Sequence, residues 1–181
     1  SLGIRMIGDI PIYVAMDSAD AWANPSLFQL DEKNVPYAVA GCPPDGFSAT
    51  GQLWGNPLYR WEYHRQTGYE WWLQRLSHCF KLYDAVRIDH FRGFDQYYSI
   101  PYGAETAATG HWEQGPGIDL FNRVRQVLGE KEVIAEDLGY VTDSVRKLVH
   151  DSGFPGMKVL EFAFDSRDSG CASDYLPHNY P

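Results

Sequence analysis

Short apolar runs alternate along the chain with segments in which apolar residues recur every three or four positions. Four of these runs predict buried strands, at residues 5–12, 85–88, 133–135 and 158–162. They are rich in Ile, Val, Leu or Phe and mostly lack alternation with polar residues, which is typical of strands covered on both faces.

Three segments have the period of an amphipathic helix, at residues 69–83, 118–128 and 142–151. Gly129 is a suitable C-terminal stop for the second of them. Either Thr142 or Asp143 can cap the start of the third, and Gly153 and Pro155 end it.

The alternation of strands and helices predicts an α/β fold built from parallel βαβ units. The interval between units fits part of a (β/α)₈ barrel, about strands three to six, and residues 1–181 then form a single segment of such a barrel. A doubly wound sheet fits the same alternation, but no GxGxxG sequence follows any strand.

Residues 15–65 break the pattern, because Pro and Gly recur there and no helical or alternating period persists. A long segment of this kind between a strand and its helix predicts an irregular βα-loop insertion. In a barrel such loops form the active-site face.

The composition excludes several classes of protein. Of the 181 residues, 44% are hydrophobic and 15% aromatic, which is enough for a sizeable core, and the net charge of −9 disfavours nucleic acid and anionic membranes as partners. No apolar run approaches the 18 residues of a membrane span. The three cysteines, Cys42, Cys79 and Cys171, have neither disulfide-framework nor metal-site spacing.

We therefore expect reduced thiols, no metal and no cofactor. A cytoplasmic location follows, or a plastid if the source is a plant or alga. The oligomeric state is not indicated by the sequence.

Three of the predicted strands carry a carboxylate toward their C-terminal end. Asp9 lies late in the first strand, and Asp89 and Glu136 directly follow the second and third. An unpaired carboxylate is costly to bury, and the ends of neighbouring parallel strands meet at one edge of the sheet. The alternative to a functional role is a structural one, in which these acids cap helices or pair with Arg87 and Arg92.

The surroundings of two carboxylates predict different roles. Arg87 and Asp89 are two residues apart on one strand and face the same side, so the guanidinium favours an ionised Asp89 that is suited to act as a nucleophile. Glu136 follows an apolar run, where desolvation favours the protonated form of a general acid. Asp137 points to the opposite face, or into the site if the strand has already ended. His90 either lines the site or is structural.

Aromatic residues crowd into residues 54–72. Trp71 and Trp72 follow the helical pattern and are predicted to be core. Trp54 lies in the irregular segment beside Gly55 and is the better candidate for stacking on a sugar ring.

Five segments, taken in order, resemble the amylomaltase family, the 4-α-glucanotransferases of glycoside hydrolase family 77. They are GDIPIYV (8–14), PPDGFS (43–48), GQLWGNPLY (51–59), VRIDHFRG (86–93) and AEDLG (135–139). The resemblance extends over most of the chain, and several motifs in one order are more specific than any one alone.

The resemblance implies a (β/α)₈-barrel enzyme that transfers α-1,4-glucan segments between maltodextrins. It implies Asp89 as the nucleophile and Glu136 as the acid/base. It places six further residues among the substrate contacts: Asp9, Asp45, Gln52, Trp54, Arg87 and Asp137. It also implies that the loop around Gly46 and Phe47 overhangs the cleft and that Phe162 lies in a further strand.

The chain departs from the family pattern in one respect. The family has a third catalytic Asp in a His-Asp pair, and no aspartate here has a matching context. We therefore expect residues 1–181 to be a fragment that is inactive alone.

Two other functions remain open. An α-amylase-type hydrolase could use the same two carboxylates, and a non-catalytic glucan-binding module would need only the aromatic residues and the loop. A generic α/β domain, with acids that serve as helix caps, would have no affinity for maltodextrin.

Overall fold

The computed structural model describes residues 2–46, 48–139, 141–164 and 176–179. Seven strands lie in these residues: β1 (Ile7–Pro11), β2 (Ala38–Cys42), β3 (Gln52–Pro57), β4 (Ala85–Asp89), β5 (Gln96–Pro101), β6 (His111–Gln114) and β7 (Val133–Ala135). The α-helices of the same residues are α1 (Ala19–Ala23), α2 (Trp61–Gln66), α3 (Glu70–Leu82), α4 (Ile118–Leu128) and α5 (Asp143–Ser152).

Three of the predicted strands form one parallel sheet in the order β1–β4–β7. Asp9 of β1 lies beside Arg87 of β4, and Arg87 lies beside Ile134 of β7. This register brings the carboxyl ends of all three strands to one edge. The mixed α/β class is confirmed, but among the described residues the sheet is open and no barrel closes.

The fourth predicted strand, residues 158–162, is wrong. Leu160–Phe164 is a 3₁₀ helix, and Phe162 lies within it. The main-chain N–H of Phe162 donates to the nearby carbonyl of Val159 at 3.0 Å. An apolar run becomes a strand only when a neighbouring strand pairs with it, and here the hydrogen bonding is local.

Helices α3, α4 and α5 cover one face of the parallel sheet. Their boundaries agree closely with the periodicity: Thr142 Oγ1 accepts from the N–H of Val145 at the start of α5, and Gly153 ends this helix in the left-handed conformation. The shared core includes Ile88, Ala135 and Trp72, each fully buried. The prediction that Trp72 is core is confirmed, and the partly buried Trp71 packs against the same cluster.

The segment predicted to be irregular, residues 15–65, is more ordered than its sequence indicates. It contains β2, β3, α1 and α2, and β2 pairs with β5 to build an antiparallel sheet in the order β3–β2–β5–β6. The Tyr59 hydroxyl anchors the segment, because it donates to the Ile12 carbonyl at 2.7 Å from a buried position. The predicted overhanging loop has its tip at Phe47, which lies outside the described residues.

The second face of the parallel sheet carries the polar residues. Along β1 exposed and buried positions alternate, with Gly8 and Ile10 buried and Asp9 exposed. A side chain at Gly8 would collide with the Tyr83 ring, since a Cβ there would lie 2.1 Å from Tyr83 Cδ2. Among the described helices, none has the length and apolar character needed to cross a bilayer.

Candidate active site

One arginine joins the first two strand-end carboxylates. Arg87 Nη1 donates to Asp9 Oδ1 at 2.5 Å, and Nη2 donates to Asp89 Oδ1 at 2.8 Å. Burial opposes the charge of Arg87, but the hydrogen bonds and attraction of the two carboxylates outweigh it and raise its pKa above the ordinary value. The predicted Arg87–Asp89 pairing is therefore present, and it extends to Asp9.

For two of the three acids this arrangement also fits a purely structural role, since Asp9 and Asp89 do pair with an arginine. Pairing does not remove Asp89 from solvent, because 44% of its side chain stays exposed against 25% for Arg87. Asp89 is therefore an accessible carboxylate at a strand end that is held by a cation, which suits a nucleophile.

Glu136 follows β7 and is held by main-chain groups. Its Oε2 accepts from the N–H of His90 and its Oε1 from the N–H of Leu138, both at 2.8 Å. Burial raises the pKa of Glu136, the two N–H groups oppose that rise, and the neighbouring Asp89 charge adds to it. The net increase in pKa favours a carboxyl that can donate a proton, as the apolar run before it predicted.

Glu136 lines a cavity of about 510 Å³ between the two sheets. Three of the predicted substrate contacts line it with Glu136, namely Asp45, Gln52 and Trp54. The Trp54 indole N–H donates to Gln52 Oε1 at 3.0 Å, and 36% of Trp54 is exposed. Trp54 lies in β3 rather than in an irregular loop, so a sheet holds it in place.

Asp137 does not belong to this cavity lining. Its Oδ1 accepts from the N–H of Met157 at 2.8 Å, and the main chain at Gly156 lies so close that a Cβ there would be 2.5 Å from Asp137 Oδ2. In this structure Asp137 anchors the chain after α5. Met157 in turn lies against the candidate site, since Arg87 Nε contacts its sulfur at 3.0 Å.

The cavity lining also includes residues that were not predicted as substrate contacts, among them Cys42, His90, Arg92 and Trp112. The Arg92 guanidinium lies 3.9 Å from the centre of the Trp112 ring and is almost fully buried. Burial raises the pKa of the Cys42 thiol to about 11, so it is protonated near neutral pH. His90 and Arg92 were visible next to Asp89 in the sequence, but Cys42 and Trp112 reach the cavity only through the second sheet.

The arrangement suits proton transfer and nucleophilic attack by carboxylates. Within the described ranges, no three His, Cys, Asp or Glu side chains come together as a metal site requires. One carboxylate is paired with a cation and the other has a raised pKa, which is the division of roles that a retaining glycosidase-type mechanism needs.

Comparison with known proteins supports this interpretation. A family model described as glycoside hydrolase family 77, 4-alpha-glucanotransferase, matches residues 1–181. The 4-alpha-glucanotransferase of Streptococcus pneumoniae is 56% identical over 96% of this chain, and that of Thermus thermophilus is 53% identical over 100%. The chain spans about a third of the length of these curated relatives, 34% and 36% respectively.

Solved structures agree with the sequence relatives. Amylomaltase from Streptococcus agalactiae in complex with acarbose superimposes with a TM-score of 0.94 at 46% identity, over 99% of this chain and 36% of that one. Amylomaltase from Corynebacterium glutamicum, at 24% identity, shares the fold with a TM-score of 0.74 over 91% of this chain and 22% of its own. Since the family model matches every residue and the relatives agree with it, this chain belongs to the 4-alpha-glucanotransferases of glycoside hydrolase family 77.

Proposed function

We propose that the protein is a 4-α-glucanotransferase that moves α-1,4-glucan segments between maltodextrins with retention of configuration. The observation that carries this proposal is the pair formed by the accessible, arginine-bound Asp89 and the partly buried, raised-pKa Glu136, which lie at the ends of neighbouring parallel strands, with Glu136 lining the cavity. The family membership and the acarbose complex of the Streptococcus agalactiae relative support a glucan-like substrate.

The reaction follows from these two carboxyl groups. Asp89 attacks the anomeric carbon, the bond from that carbon to the glycosidic oxygen breaks, and Glu136 gives its proton to the departing oxygen. An incoming sugar 4-hydroxyl then loses its proton to Glu136 and attacks the same carbon, which releases Asp89. Two displacements retain the configuration, and the retaining rule predicts carboxyl groups about 5–5.5 Å apart.

The remaining predicted contacts have distinct places in this scheme. Asp9 holds Arg87, which in turn holds Asp89, while Asp45, Gln52 and Trp54 face the sugar across the cavity. Asp137 was also predicted to touch substrate; its bond to Met157 supports a role in shaping the site instead.

Product analysis tests transfer against its alternatives. Given maltotriose alone, the intact protein should produce glucose together with maltodextrins longer than maltotriose. A hydrolase would yield only shorter sugars, and a binding module would leave maltotriose unchanged. Either outcome would overturn the proposal.

Trp54→Ala should weaken transfer while costing little stability, because the indole is partly exposed and faces the cavity. We expect kcat/KM for maltotriose to fall about tenfold or more, since a flat apolar surface for the sugar ring is lost. The melting temperature should change by less than about 4 °C.

Trp22→Ala is the matched control, because Trp22 is 85% exposed on α1 and does not line this cavity. It should leave kcat/KM unchanged. If Trp54→Ala lowered the melting temperature sharply while activity per folded molecule stayed normal, Trp54 would be a core residue and the assignment would fail.

A further inference from the structure

His90 connects the two halves of the candidate site. It follows the last residue of β4 and precedes the 3₁₀ helix Phe91–Phe94. Its main chain contacts Glu136 on the parallel-sheet side, and its ring contacts Trp54 on the antiparallel-sheet side.

The main chain of His90 has an uncommon conformation. Its φ is 53° and its ψ is 49°, in the left-handed region, which it shares among the described non-glycine residues with Asn34 and Tyr69. This region is unfavourable for most side chains and persists where the surroundings hold it. Here it places the N–H of residue 90 at 2.8 Å from Glu136 Oε2, while the next N–H, of Phe91, donates to the carbonyl of Glu136.

The His90 ring packs against Trp54. The ring centres are 4.8 Å apart and the planes are nearly perpendicular, at 89°. Burial of the ring, followed by the nearby Arg92 charge, lowers the pKa of His90 to about 4, so the ring is neutral near pH 7. Its Nε2 is buried without a hydrogen-bond partner in the described residues, which means that packing rather than hydrogen bonding at this atom holds it against the indole.

We propose that His90 is a positioning residue of the transfer reaction: its left-handed main chain aims an N–H at Glu136 while its ring fixes Trp54. A single residue thereby fixes the positions of Glu136 and Trp54 relative to each other. This inference rests on the proposed function, because it assigns His90 a part in the reaction of Asp89 and Glu136.

The two contacts should affect different kinetic parameters. The N–H bond stabilises the ionised form of Glu136, so its loss should raise the pKa of Glu136 further and move the alkaline limb of kcat/KM to higher pH. The ring contact should affect sugar binding through Trp54. The other titratable or charged groups around this region are Asp9, Cys42, Asp45, Arg87, Asp89 and Arg92, and neither variant below changes any of them.

Two substitutions in the intact protein separate these contacts. His90→Phe keeps an aromatic ring but disfavours the left-handed conformation, whereas His90→Asn tolerates that conformation and removes the ring. For His90→Phe we expect a fall in kcat of about tenfold and an alkaline limb at higher pH. For His90→Asn we expect KM for maltotriose to rise about threefold or more, with the alkaline limb unmoved.

Thermal unfolding is measured in parallel. If His90→Phe does not fold, His90→Ala is compared with His90→Asn instead, because both lack the ring and only Asn tolerates the left-handed conformation. The inference is overturned if neither the alkaline limb nor KM moves, or if both variants lose activity only in proportion to lost folded protein. The Asp89→Asn variant distinguishes failure of the proposed function from failure of the role assigned to His90. If Asp89→Asn still transferred glucan, the proposed function would be wrong; if it were inactive and the His90 variants were normal, only the role of His90 would be wrong.

Discussion

Glu136→Gln in the intact protein should lower kcat for maltotriose by about a thousandfold or more, because no carboxyl would remain there to protonate the departing oxygen. The substitution keeps the shape and one acceptor oxygen, so one of the two bonds from the N–H groups of His90 and Leu138 can remain and the protein should still fold. The alkaline limb of the pH profile should disappear with the titrating group.

A donor that needs no proton tests the same assignment more sharply. With α-glucosyl fluoride, the fluoride leaves without acid assistance, so the first displacement should survive in Glu136→Gln. The matched control is Glu132→Gln, an exposed carboxylate that pairs with Arg5 at the other end of the same strand. Normal maltotriose transfer by Glu136→Gln would rule out Glu136 as the acid/base.

Asp89→Asn should abolish transfer from both donors, with kcat reduced by about 10⁴-fold or more, because an amide cannot form the glucosyl intermediate. Arg87 would lose a carboxylate partner but keep Asp9, so the folded state should survive. The measurement is maltotriose disproportionation and fluoride release, with thermal unfolding in parallel.

The covalent intermediate gives an independent measurement. When Glu136→Gln is mixed with α-glucosyl fluoride, the peptide that contains Asp89 should gain the mass of a glucosyl group. Asp84→Asn is the control for the charge change, since Asp84 precedes the same strand and its carboxylate accepts from the main chain of Met6. A glucosyl group on another residue, or undiminished turnover in Asp89→Asn, would exclude Asp89 as the nucleophile.

The candidate site was predictable to the extent that it lies on the parallel sheet. Asp9 and Arg87 lie within predicted strands, and Asp89 and Glu136 directly follow them. Parallel strands bring their carboxyl ends to one edge whatever the rest of the fold does. The structure places Arg87 in direct contact with both Asp9 and Asp89. The roles of Asp45 and Gln52 came from resemblance alone, because nothing in their local sequence indicates which surface they face.

The opposite wall of the cavity was not predictable from local pattern. Trp112 lies in β6 and Cys42 in β2, and both reach the cavity because an antiparallel sheet joins residues 38–57 to residues 96–114. Short, bulged strands that contain Gly and Pro show no regular alternation of hydrophobic and polar residues. Their pairing is decided by partners far away in sequence.

Local sequence by itself determined helices α3, α4 and α5 and the three parallel strands of this protein, because amphipathic period, capping residues and buried apolar runs act over a few neighbouring residues. Tertiary pairing decided the rest. Residues 158–162 have the composition of a strand but form a 3₁₀ helix, and residues 15–65 lack any period but contribute two strands. The physical reason is the same in both cases: a strand is completed by hydrogen bonds to another segment, and a single segment does not contain its partner.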